Sequence, residues 1–124
     1  MRVIVCNNEQ QLKLEHRSEL SFESYILHTS SLTFARVVVR AFGINRADLL
    51  QRAGHYPPPK GVASDILGLE FAGIIDSFSD GSSQHGDFKL GDRVMGICSG
   101  AAYAEQVIVP VSYTHLTLPT TPYV

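Results

Sequence analysis

The residues able to do chemistry gather in one stretch. Asn45, Arg46 and Asp48 are followed closely by His55 and Tyr56, and Glu70 lies a little further on in an apolar run. A carboxamide and a phenol can donate hydrogen bonds to an oxygen on which negative charge develops, and a phenol also offers a flat face to a planar ring. The two thiols, Cys6 and Cys98, stand far apart with no Cys-x-x-Cys spacing, so neither a thiolate zinc site nor a disulfide framework is signalled. Cys98 reads as a small buried hydrophobe. His55 reads as a solvated loop histidine, and Glu70, costly to bury alone, is expected to meet an arginine or backbone donors.

The bland readings are equally concrete. Asn45 is a favoured helix cap, and Asp48 three residues on can reach back to a free backbone N–H, so Arg46 and Asp48 also make sense as an ordinary helix start. Tyr56 before Pro57, Pro58 and Pro59 can be a packing aromatic on a semi-rigid loop. A cap at the end of a strand sits where active sites form, so for Asn45 the two readings are compatible.

The elements that position these residues are mostly strands. Arg2 to Cys6 and Leu12 to His16 read as a hairpin, and Ser18 to Ser31 as loop with a short strand around Tyr25 to His28. RVVVRAFGI, from Arg36 to Ile44, is dense in β-branched residues and is the clearest strand. NRADLLQRA then starts a short helix that Gly54 ends. Ile66 to Phe78 reads as a strand with Gly68 and Gly73 at bulges or close approaches, SDGSSQHGD as a surface loop, and Phe88 to Cys98 and Ala102 to Pro110 as two more strands. The predicted fold is mainly β with a short helix, a partly open barrel.

With 124 residues the chain suits one domain. Ten Lys and Arg against twelve Asp and Glu, with no basic patch interleaved with aromatics, exclude a nucleic-acid surface from the expectation. The N-terminus turns polar too early for a signal peptide and no run reaches membrane-span length, so a cytoplasmic protein without a membrane partner is expected.

From Gly43 to Gly73, GINRADLLQRAGHYPPPKGVASDILGLEFAG closely resembles the zinc-free quinone oxidoreductases of the medium-chain dehydrogenase/reductase superfamily, the branch that includes the p53-inducible quinone reductase. GDRVMGICSGAAYAEQVIVP, from Gly91 to Pro110, extends the likeness. The resemblance implies a GroES-like, alcohol dehydrogenase N-terminal-like barrel over residues 1–110, with the Rossmann domain absent because no Gly-x-Gly-x-x-Gly turn occurs. It implies NADP(H) as cofactor in the full-length enzyme, a quinone or other electrophilic small molecule as substrate, and homodimers of the full-length form. Zinc-dependent relatives carry Cys and His where this chain has Asn45 and Leu69, so no metal is expected. Asn45 and Tyr56 are the implied catalytic residues, with Asn45 also touching the cofactor, and Arg46 and Asp48 shape the cleft.

Two other functions fit the same residues: an enal or enone reductase fragment, and a non-catalytic GroES-like binding module. VSYTHLTLPTTPYV, residues 111–124, departs from the family, carries no charged residue, and resembles translated read-through at a truncation or frameshift, the alternative being a genuine short terminal strand. As an isolated chain, little or no turnover is expected.

Overall fold

The computed structural model describes residues 1–26, 32–55, 63 and 65–117. The opening hairpin pairs β1 (Arg2–Cys6) with β2 (Leu12–His16), antiparallel from Arg2 opposite His16 to Cys6 opposite Leu12. A single helical turn, α1 (Glu23–Ile26), takes the place of the expected strand at Tyr25, while residues 27–31 lie outside the described part. Local bonding wins there. Tyr25 N–H closes a turn onto the Phe22 carbonyl, and the Tyr25 ring packs on Phe34 at 5.8 Å.

β3 (Phe34–Phe42) pairs antiparallel on both sides, with β4 (Glu70–Phe78) and with β8 (Gln106–Pro110). That double pairing is why its sequence reads as a nearly unbroken β-branched run. β7 (Arg93–Ile97) adds to the far side of β4, and β9 (Thr114–Leu116), reached through a 3-10 turn at Val111–Tyr113, adds to β7. The five-stranded sheet therefore runs β8-β3-β4-β7-β9 and stays open. Between β4 and β7 a small hairpin joins β5 (Gln84–His85), inside the stretch read as loop, to β6 (Phe88–Lys89), so the single strand expected from Phe88 to Cys98 is split into β6 and β7 by the turn at Leu90–Asp92.

Two apolar clusters hold these elements. The larger lies under the main sheet and includes Val37, Phe71, Ile75, Val94 and Val107. The smaller forms where the hairpin meets the sheet, from Val3, Val5, Ile66, Leu67, Tyr103 and Ala104. Isolated bridges between Val3 and Ala104, and between Val5 and Ile66, fasten the hairpin by its backbone. Arg36 crosses from β3 to Asp76 of β4 at 2.8 Å, a half-buried ion pair on the sheet.

β4 starts at Glu70 rather than Ile66, because Gly68 turns the chain with φ +110. Gly73 is a close approach, as its sequence context suggested. A Cβ placed there would lie 2.1 Å from the Val38 carbonyl oxygen of β3. We expect Gly73→Ala to force the β3–β4 seam apart and to cost about 1–3 kcal/mol, read as a lower urea midpoint; an unchanged midpoint would mean the seam is not packed as described.

Candidate functional site at the β3–α2 junction

α2 (Arg46–Arg52) begins directly after β3, with Asn45 as its cap in extended backbone conformation, φ -130 and ψ 160. Asp48 does what its spacing suggested: its Oδ2 accepts the Asn45 backbone N–H at 2.9 Å. The helix stops as expected, with Gly54 at φ +80 and the Gly54 and His55 amides donating to the Gln51 and Leu50 carbonyls.

Asp48 is far more than a surface cap, since it is only 3% exposed. The same Oδ2 also accepts the Tyr103 hydroxyl at 2.5 Å, while Oδ1 is buried with no hydrogen-bond partner among the described residues. Tyr103 in turn stacks on Phe42 at the end of β3, with ring centroids 4.5 Å apart and planes inclined by 25°. A ring from the second core thereby locks the strand end and the helix start together.

Gln51 supplies another lock. Its Oε1 accepts the Gly68 N–H at 3.1 Å and its Nε2 donates to the Ser99 carbonyl at 3.4 Å. Cys98 lies beside these groups, buried as expected, with its Sγ 3.7 Å from the Gly68 carbonyl oxygen. Neither Tyr103 nor Gln51 stood out in the sequence. A tyrosine directly after a small-residue turn was the signal for the first; nothing marked the second.

The sequence-predicted residues are only partly brought together. Asn45 and Arg46 are exposed at the junction, Asp48 is buried beneath them, and His55 is exposed. Tyr56 lies outside the described residues. Glu70 corrects an expectation: it is exposed at the start of β4, its side chain folded against Gly43, and among the described residues it has no ion-pair partner. Hydration removes the need for the partner that burial would have required.

Clefts of about 500 Å³ and about 430 Å³ share Ile97 and His115, and the Cys98–Ser99 edge of the second leads toward Gln51. Neither is lined by Asn45, Arg46 or Asp48. Around them Ile97, Met95 and Tyr113 are at least half exposed. No group of three potential metal-ligating side chains is gathered among the described residues, and no helix there is long and apolar enough to cross a membrane.

The turn at Ser99 and Gly100 does not fit a dinucleotide's phosphates. The amides that follow it are already spent, with Ala101 donating to Ile66 at 3.0 Å, Ala102 to Gly68 at 3.4 Å and Tyr103 to Leu67 at 2.9 Å. A phosphate cradle needs free N–H groups.

Burial raises the acids of this region. It pushes the Cys98 thiol from an ordinary 9.0 up to about 11 and the Tyr25 phenol from 10.0 up to about 12. Tyr103 also rises, by burial first and then by its bond to Asp48. An acid that holds its proton more tightly when folded contributes stability that is complete below its unfolded value and is lost as the pH rises through its folded value. Stability should therefore fall from about pH 9 toward pH 12. Cys98→Ala should remove the part lost between pH 9 and about 11, read from urea midpoints; an identical alkaline slope would contradict this. Gly68→Ala should break the junction itself, because its Cβ would lie 2.5 Å from the Tyr103 ring at a φ that disfavours side chains. The expected loss is about 2–4 kcal/mol by denaturant unfolding, and one under about 0.5 kcal/mol would contradict it.

The family model for the alcohol dehydrogenase GroES-like domain matches residues 33–119. The mouse synaptic vesicle membrane protein VAT-1 homolog is 41% identical over 80 residues, which make up 63% of this chain and 18% of that protein. PikAII, a pikromycin polyketide synthase component from Streptomyces venezuelae, is 38% identical over 73 residues, 59% of this chain and 2% of that one. Among solved structures, the human VAT-1 homolog-like protein superposes with a TM-score of 0.67 at 26% identity, over 94% of this chain and 34% of that chain. A quinone oxidoreductase from Pseudomonas syringae superposes with a TM-score of 0.69 at 23% identity, over 98% and 34%, a likeness of fold.

Proposed function

Because the chain belongs to the alcohol dehydrogenase GroES-like domain family, we propose that it is the substrate-side domain of a zinc-independent, NADPH-dependent quinone oxidoreductase. The observation that carries this reading is the β3–α2 junction. An exposed Asn45 stands where zinc-dependent relatives place a cysteine, and the buried Asp48 pins its backbone in place. Leu69 stands where they place a histidine. An amide and a leucine are poor company for zinc.

Without a Lewis acid, the acceptor must already be electrophilic, as a quinone is. Asn45 is assigned the role of hydrogen-bond donor to the acceptor oxygen as charge gathers there. Asp48 and Tyr103 hold the junction still. Arg46, exposed beside Asn45, shapes the approach, and Tyr56 is assigned the flat wall of the acceptor site. The phosphates of NADP(H) have no cradle in the Ser99–Gly100 turn, so cofactor binding in this proposal belongs to further elements of the whole protein, in the cytoplasm.

The test uses the product of the complete reading frame, assayed for NADPH oxidation with 1,4-benzoquinone, methyl vinyl ketone and acetone, with and without EDTA. Benzoquinone should be the preferred acceptor, EDTA should change nothing, and Asn45→Ala should lower kcat/KM by about a hundredfold. Preference for methyl vinyl ketone would instead identify an enone reductase. EDTA-sensitive turnover of acetone would overturn the zinc-free site, and no turnover with any acceptor would favour a binding module.

A further inference from the structure

A separate cleft of about 340 Å³ lies in the seam between the β1–β2 hairpin and the end of β3, and neither Asn45 nor Asp48 lines it. Its aromatic surface is the stacked pair Phe42 and Tyr103, and Ile4, Leu14 and Ala104 are among its other apolar walls. Such a volume is at the small end of ligand pockets, enough for a body of one or two rings.

The rim is charged in an uneven way. Glu105 is already engaged by Arg2, through Nε at 3.2 Å, Nη2 at 3.3 Å and the Arg2 backbone N–H at 2.5 Å. Arg40, the other cation lining the cleft, pairs with no carboxylate among the described residues. Its position is also irregular. Val39 lies opposite Gly73 and Ala41 opposite the adjacent Ala72, so Arg40 is the extra residue of a bulge in β3. Bulges release a residue from the regular alternation of a strand, and here Arg40, at the bulge, is among the residues that line an apolar cleft.

We propose that this seam is a binding site for a small aromatic carboxylate. The ring system lies against Phe42 and Tyr103, and the carboxylate pairs with the Arg40 guanidinium, whose planar fork matches it. Arg2 contributes no second site for the anion because Glu105 holds it.

The probe is 2-naphthoate, titrated into the ¹⁵N-labelled chain and followed by amide shifts, with 2-naphthamide as the neutral analogue of the same shape. Saturable shifts should centre on Ile4, Phe42, Tyr103 and Ala104, and the amide should bind at least about fivefold more weakly. Arg40→Gln, a change at an exposed side chain, should abolish that difference, and Leu14→Glu at the mouth should weaken naphthoate selectively. Equal affinities for the acid and the amide in the unaltered chain, shifts centred on the Met95–Ile97 cleft, or no saturable binding would each overturn the proposal.

Discussion

A carboxylate taken out of water must be given donors, and the placement of Asp48 sets that requirement at the joint of this fold. Its Oδ2 draws the Asn45 amide from one side and the Tyr103 hydroxyl from the other. The start of α2 and the loop carrying Tyr103 are consequently fixed with respect to each other, although they are far apart in sequence. The Tyr103 ring leaves room beside it only for a residue without a side chain, and the positive φ of Gly68 suits glycine alone. Gln51 then ties the same helix to the segments on either side of that contact.

This arrangement also ties the smaller apolar cluster to the end of β3 and to α2. Tyr103 belongs to the smaller cluster, stacks on the last residue of β3 and bonds to the helix. The exposed Asn45 thus rests, through Asp48 and Tyr103, on the smaller cluster. Residues 33–119 carry the family match, and the human VAT-1 homolog-like structure superposes over 94% of the chain, so the fold is a shared one. The chain corresponds to 18% of the mouse VAT-1 homolog and about a third of the superposed structures.

Much of the fold was legible in the residues. The β-branched run of β3, the alternation in the opening hairpin, the Asn45 and Gly54 limits of α2 and the close approach at Gly73 are all local signals, fixed by sterics and capping. What was not legible depends on distant partners. The turn at Glu23–Ile26 is set by bonding from Tyr25 to Phe22 in a stretch with no clear period. Glu70 sits in an apolar context that implies burial, yet it falls at the exposed start of a strand. Asp48 was legible as a cap but not as a buried hub, because its second donor comes from a tyrosine on another segment. Tyr56, the other residue that the family resemblance singled out, lies outside the described residues.

The coupling between Asp48 and Tyr103 is the most direct measure of this account, and a double-mutant cycle with Asp48→Asn, Tyr103→Phe and the combined variant isolates it by urea unfolding. If the buried carboxylate binds the two segments together, the cycle should return a coupling of about 1–3 kcal/mol, with the double variant losing less than the sum of the single losses. Strictly additive losses would show that the hydroxyl and the carboxylate do not act on each other, and the junction would then have to be held by packing alone.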